Sequence, residues 1–151
     1  MRAVIQRVKQ SSVTIDGEIV SSINHGMMIL LGVAPDDTTD DLNYLVGKIS
    51  KLRIFDDEKG VMNLDVATVG GEILVVSQFT LFAQTAKGNR PSYIRAARPE
   101  IAIPLYEQFI AEIGKASGCR VGTGRFGAMM DVELINDGPV TIIIDSKQKD
   151  Y

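Results

Sequence analysis

The sequence predicts an α/β fold, with a mixed and mainly antiparallel sheet system, two main helices packed on it, and a single domain over residues 1–151. Three observations carry that expectation. The first part of the chain alternates apolar and polar residues around an Asp16-Gly17 hairpin signal. Asp40–Leu52 and the stretch from Pro99 to Gly118 place apolar residues at helical spacing. Met27–Val33 is a continuous apolar run, as expected of a strand buried on both faces.

In chain order, Arg2–Lys9 reads as a first strand and Ser12–Asp16 as a second. Asp16-Gly17 turns the chain, because both central positions of such a loop favour φ > 0, and Glu18–Ser22 returns. Asn24-His25-Gly26 is a turn into the Met27–Val33 strand. Pro35–Thr39 breaks the chain, and Thr38 with Asp41 forms a capping box that uses Asp in place of Glu. Leu42, Leu45, Val46, Ile49 and Leu52 then mark the core face of the first helix. Arg53–Phe55 and Val61–Leu64 are short strands around the charged turn Asp56–Gly60. Glu72–Phe82 is the longest strand candidate, rich in β-branched and aromatic residues. A loop over Ala83–Ser92 leads to the second helix, with Pro99 in its first turn and Gly118 ending it. Leu105, Phe109 and Ile113 form its core stripe, and Ala102, Tyr106 and Ile110 lie alongside. Cys119–Val121 is a short strand, Gly122–Gly127 a glycine-rich loop, and Met130–Ile135 and Val140–Asp145 are two closing strands. Lys147–Tyr151 is a polar tail.

Composition excludes much familiar chemistry. Cys119 is the only cysteine, so there is neither an intrachain disulfide nor a cysteine-cluster zinc site. His25 is the only histidine, so a Ser-His-Asp triad would rest wholly on it and a multi-histidine metal site is impossible. The acids read as caps and turns, so neither a metal nor another cofactor is expected. The net charge of −3 argues against a general nucleic-acid binder, so any such role must rest on a local patch. No apolar run approaches the ~20 residues of a bilayer span, and the first residues lack signal-peptide architecture, so the expected location is the cytoplasm.

Three stretches are candidates for chemistry. Ser77-Gln78-Phe79-Thr80-Leu81 is either the polar end of a strand or a set of hydroxyl, amide and backbone donors able to hold an oxyanion. Thr80 is a possible nucleophile there, but no base is evident beside it. Lys87, Arg90, Arg95 and Arg98 fall within 12 residues without an acid among them, as a solvated loop or a phosphate-contacting patch. Gly124–Met130 does not match a dinucleotide-binding loop; Phe126 and Met129 belong either to the core or to the apolar wall of a ligand site. A further oddity is Asn136-Asp137-Gly138-Pro139-Val140-Thr141. Here a proline, which has no N–H for a ladder, stands between two strands.

Taken together, Ser77–Leu81 and Asn136–Thr141 make the chain resemble a bacterial D-aminoacyl-tRNA deacylase. Met1–Val8, Gly88–Ser92 and Phe126–Met130 extend the likeness over essentially the whole chain. The resemblance implies that family's fold and a homodimeric editing enzyme acting on D-aminoacyl-tRNA in the cytoplasm, with no membrane association. It implies a cis Gly138-Pro139 bond inserted into the partner's active site, facing Ser77–Thr80, with Arg7 fixing that loop. A filter of this kind rejects L side chains against backbone, which leaves glycine unfiltered, so glycyl-tRNA is an expected second substrate. Either Thr80 attacks the ester, or the 2′-hydroxyl of the terminal ribose assists while backbone N–H groups near Phe79 and Thr80 hold the oxyanion. An RNA-binding module without hydrolysis, using the Lys87–Arg98 patch, is the reading from another class. A generic small-ester hydrolase would need an activated nucleophile that the sequence does not offer.

Overall fold

In the computed structural model, residues 1–150 are described, and β1 (Arg2–Ile15) is the strand on which the sheet is built. The two strands expected over residues 2–16 are one. Pairing with a long neighbour carries the backbone through the polar middle, where the Ser11 hydroxyl donates to the Glu133 carbonyl at 2.7 Å. Asp16 (φ 52°) and Gly17 (φ 82°) make the expected left-handed turn into β2 (Glu18–Ile23). β3 (Gly26–Gly32) pairs with the first half of β1, starting one residue before the expected run. Only glycine fits at 26, because a Cβ there would fall 1.9 Å from the Glu72 carbonyl oxygen.

α1 (Thr39–Ile49) starts on the capping box and buries Leu42, Leu45, Val46 and Ile49; it stops short of Leu52. β4 (Phe55–Asp56) and β5 (Met62–Leu64) form a small separate hairpin. β6 (Glu72–Ser77) runs parallel to β3, and Phe79–Phe82 is a turn of 3₁₀ helix rather than the end of an 11-residue strand. α2 (Pro99–Ser117) is capped by left-handed Gly118 and buries Ala102, Tyr106, Phe109 and Ile113; Leu105 and Ile110 are only partly covered. β7 (Val121–Thr123) lies beside β6, two residues later than expected. Cys119, just after α2, is half-buried.

β8 (Asp131–Asp145) overturns the expectation of two strands separated by a turn. It runs antiparallel to β1 along its whole length. Across the sheet, β3 and β2 follow one another along the other edge of β1, with β6 and β7 beyond. The larger core, between this sheet and the helices, holds Ile5, Ile29, Leu45, Phe55, Ile73 and Phe109. A smaller cluster on the other face contains Val8, Val13, Met28, Leu74 and Val76, only partly covered by Met130, Val132 and Leu134.

The polar tail is tied down. The Met1 amine donates to Asp37 Oδ1 and to Ser146 Oγ, both at 2.6 Å, and Lys147 pairs with Asp36. Burial pushes the Asp145 carboxyl up, but hydrogen bonds from the Lys147 N–H and the Arg2 guanidinium hold it below the ordinary carboxylate range. The last residue of the expected tail, Tyr151, lies outside the described residues. Among those described, no helix is long and apolar enough to cross a membrane.

Candidate active site

The site begins where β6 leaves the sheet. The Gln78 N–H still bonds to the Leu31 carbonyl at 2.8 Å, but its backbone (φ −144°, ψ 82°) turns the following residues out of the ladder. The 3₁₀ turn closes through Leu81 N–H to Gln78 O and Ala83 N–H to Thr80 O. Gln78 provides no side-chain cap, so the first donors of the turn are left over. Among the described residues, neither the Phe79 N–H nor the Thr80 N–H donates to any acceptor. Adjacent free backbone donors of this kind are the equipment of an oxyanion site.

Two recesses meet at Ser77, Gln78 and Phe79. One is a small cavity of about 70 Å³ that also involves Tyr106, Phe126 and Gly127. The other is an open groove of about 330 Å³ along Val76, Met129 and Met130. Ser77–Phe79, Phe126 and Met129 therefore converge, although about fifty residues separate the two stretches. Met129 is 91% exposed and belongs to the groove, not to the core. Phe79, also exposed, stands edge-on to Tyr93. The Thr80 side chain lines neither recess; its hydroxyl accepts from the Gln78 amide at 2.5 Å.

No base accompanies these groups. Neither lining includes an acid or a histidine. His25 is exposed, edge-on to Phe55, just before the start of β3, whereas Ser77 pairs with Leu31 near its far end. At about 3.3 Å per residue they lie roughly 20 Å apart. Tyr106 donates to the Val75 carbonyl, and burial pushes its hydroxyl up to about 12, so it keeps its proton at neutral pH. No group of three or more metal-ligating side chains stands together among the described residues.

Asp137-Gly138-Pro139-Val140 forms the second component. Gln6 pairs with Thr141 and Val8 with Asn136, so Arg7 alone stands opposite these four residues and the segment bulges. The Gly138–Pro139 bond is cis. Gly138 has φ 128°, and a Cβ there would meet Val140 at 2.8 Å and Arg7 Nη2 at 3.2 Å, so the position demands glycine. Asn136 closes the base of the bulge, accepting from the Val140 N–H and donating to Thr141 Oγ1. Arg7, buried although charged, is the hub. Its Nε meets the carbonyl and the carboxylate of Asp137, each at 3.2 Å, and its Nη1 donates to the Ile54 carbonyl at 2.7 Å and to Asp56 at 3.3 Å. Sequence reading found Arg7 but not Ile54 or Asp56. No local pattern marks either residue, since both reach Arg7 only through the placement of the β4–β5 hairpin.

The bulge does not approach the recesses of its own chain. Thr141, Gln6, Met28 and Leu74 stand in register across the sheet, which puts the bulge three strands from β6 and several residues short of Ser77. At about 4.8 Å per strand and 3.3 Å per residue, the separation is on the order of 20 Å.

Lys87, Arg90, Arg95 and Arg98 are exposed and ion-pair with no acid among the described residues. They belong to the segment between β6 and α2, which is clipped by a two-way bridge between Gln84 and Ser92. No acid occurs from Ile73 to Pro99, so the positive charge beside the site is uncompensated. Arg125, next to Phe126, is likewise unpaired, and sequence reading missed it.

The D-Tyr-tRNA(Tyr) deacylase family matches residues 4–145. Proteins named D-aminoacyl-tRNA deacylase are similar over nearly the full length. That of Bacteroides thetaiotaomicron is 59% identical over 99% of this chain and 100% of its own, and one from Bacteroides fragilis is 61% identical over the same shares. Among solved structures, a protein described as a c-Myc DNA unwinding element binding protein superposes with a TM-score of 0.88 at 42% identity, covering 96% of this chain and 98% of its own. A "probable eukaryotic D-amino acid tRNA deacylase" shares the fold, with a TM-score of 0.82 at 19% identity over 95% of this chain and 98% of its own.

Proposed function

The chain belongs to the D-Tyr-tRNA(Tyr) deacylase family and is a hydrolase of D-aminoacyl-tRNA; we propose that the Ser77–Thr80 turn stabilises the reaction, that the Gly138–Pro139 bulge of a second copy filters the substrate, and that the RNA itself assists. The observation that carries this reading is the pair of free N–H groups at Phe79 and Thr80, beside recesses that contain no base.

Water adds to the ester carbonyl, and the carbonyl oxygen takes the negative charge against those two donors. The 2′-hydroxyl of the terminal ribose takes the proton that the attacking water loses and passes its own to the departing 3′-oxygen, and the C–O bond breaks to give free amino acid and tRNA. This route requires no protein base. The alternative, attack by Thr80, has to deprotonate a hydroxyl whose only side-chain partner is the Gln78 amide, a donor.

The filter works from the partner because the chain's own bulge is out of reach. Two features support a dimer. β8 is a 15-residue strand paired only with β1, an edge that proteins rarely leave open. Met129, Phe79 and Ile135 are also exposed apolar side chains, on or beside the groove and this strand. Backbone from Gly138 and Pro139, packed against the substrate Cα, would exclude any side chain of L configuration and leave the D side chain free. Lys87, Arg90, Arg95, Arg98 and Arg125 supply the phosphate contacts, and the reaction takes place in the cytoplasm with the rest of tRNA charging.

Release of amino acid from D-alanyl-, L-alanyl- and glycyl-tRNA tests this reading. The D and glycyl esters are expected to be cleaved, and the L ester at least ~10³-fold more slowly, since backbone exclusion is worth several kcal/mol. Resistance of the glycyl ester would contradict exclusion by backbone. Tight tRNA binding with no release of amino acid would favour a nucleic-acid-binding module, the reading to which the name of the 42%-identical neighbour points.

A further inference from the structure

Phe79 lines the active recesses; Phe82, at the other end of the same 3₁₀ turn, lines a different cavity, of about 460 Å³. Its other walls are Pro35, Ile94, Arg95 and the tail at Lys147 and Gln148. Apart from Arg95, a phosphate contact in the proposed reaction, nothing in that reaction uses its walls. The volume suits one small-molecule-sized group. Ile94, an apolar side chain 79% exposed, stands at its edge with nothing packed over it.

The charges around the cavity leave one cation over. Asp36 is held by Lys147, Asp37 by the Met1 amine and Asp145 by Arg2, so the three acids at the cavity are all matched. Arg95 has no such partner among the described residues. Arg2 already lies over the Phe82 ring, 5.0 Å from its centroid, so the cavity offers apolar surface from Ile94 and Pro35 at the side of that ring, next to one guanidinium without an ion-pair partner. That is the pairing a nucleotide requires, with a surface for the base and a fork for its phosphate.

Position narrows the choice further. Phe79 and Phe82 are three residues apart on a 3₁₀ turn, about 6 Å at 2.0 Å per residue. For a strand of RNA whose terminal adenosine occupies the active recess, this cavity is within reach of one or two nucleotide steps of about 3.4 Å or more. We infer that the Phe82–Ile94–Arg95 cavity binds the unpaired nucleotides immediately 5′ of the terminal adenosine, with Arg95 on a phosphate. This rests on the proposed action on aminoacyl-tRNA. It adds a reason for a whole RNA end, rather than an adenosine ester alone, to be the preferred substrate.

The test compares D-alanyl-tRNA with the D-alanyl ester of adenosine alone, which lacks those nucleotides. Arg95→Ala, and separately Ile94→Glu at an exposed position, are expected to reduce the advantage of the tRNA over the adenosine ester about tenfold, through KM rather than kcat, and Arg95→Ala to flatten the salt dependence of tRNA binding by about one unit of slope. In parallel, anisotropy of a short RNA ending in CCA, against one ending in a single unpaired A, reads the cavity without hydrolysis. Wild-type protein that cleaves neither ester but binds the CCA end more tightly, with that gain lost in both variants, would sink the hydrolytic reading and keep the cavity. Equal losses on the two esters, an unchanged advantage in both variants, or no preference for the CCA end would overturn the cavity assignment and leave the hydrolase reading standing.

Discussion

Arg7→Ala is expected to reduce deacylation of D-alanyl-tRNA by ~10²-fold or more and to destabilise the fold by about 3 kcal/mol. The side chain is nearly fully buried and its hydrogen bonds reach three residues in two segments: the Asp137 carbonyl and carboxylate, the Ile54 carbonyl and the Asp56 carboxylate. Without it, two carbonyls lose a charged donor and two carboxylates lose their countercharge beside a pocket that water would only partly refill. Each orphaned group costs about 1–3 kcal/mol where it is buried, discounted at Asp56, whose side chain is 49% exposed. The activity loss should exceed what stability explains, because the four-residue bulge opposite Arg7 has lost its anchor and a displacement of about 1 Å is enough to misplace the substrate Cα that this backbone packs against. Arg7→Lys keeps the charge but cannot fork toward three partner residues at once, and should fall between. Urea unfolding combined with single-turnover kinetics on the folded fraction checks both parts. Wild-type turnover in folded Arg7→Ala protein would show that the bulge needs no anchor.

The second large effect lies in the substrate. A D-aminoacyl-tRNA ending in 2′-deoxyadenosine is expected to react about 10²–10⁴-fold more slowly, the usual worth of a positioned proton-transfer group. Thr80→Ala should cost less than ~10²-fold, because the Thr80 N–H remains and only a hydroxyl held by Gln78 is lost. Loss of an essential nucleophile costs nearer 10⁶-fold. The two measurements are reciprocal. If the deoxy substrate reacts normally and Thr80→Ala is dead while still binding tRNA, the hydroxyl is the nucleophile and the RNA is a bystander.

Features whose signals are local in sequence were legible. Asp16-Gly17, the Thr38–Asp41 capping box and the Pro99-to-Gly118 helix each depend on a few adjacent residues, and each lies within a residue or two of its expected place. Features set by a distant partner were not. β1 is unbroken because β8 pairs along it, and β8 tolerates Pro139 because Arg7 satisfies a bulge that no window of β8 reveals. β6 stops at Ser77 although Phe79, Thr80 and Leu81 favour strand, since β3 itself ends at Gly32, one residue past the Leu31–Ser77 pair. In the site, the motif residues were readable as types. That Phe79 and Thr80 carry free N–H groups, that Met129 is outside the core, and that Ile54 and Asp56 hold Arg7 are consequences of the assembled sheet.

The central claim is that one copy supplies the Ser77–Thr80 pocket and the other supplies the bulge that completes it. Mixing two impaired variants tests this most directly. One carries Ser77→Phe, which obstructs the point where both recesses meet but leaves Arg7 and the bulge intact. The other carries Arg7→Ala, which frees the bulge but leaves the pocket intact. After subunit exchange, half of the sites in each mixed dimer pair an intact pocket with an intact bulge, so random mixing should restore about a quarter of wild-type D-alanyl-tRNA deacylation. Mixtures no more active than the two variants alone, with exchange verified by mass, would place pocket and filter on the same chain and contradict the account.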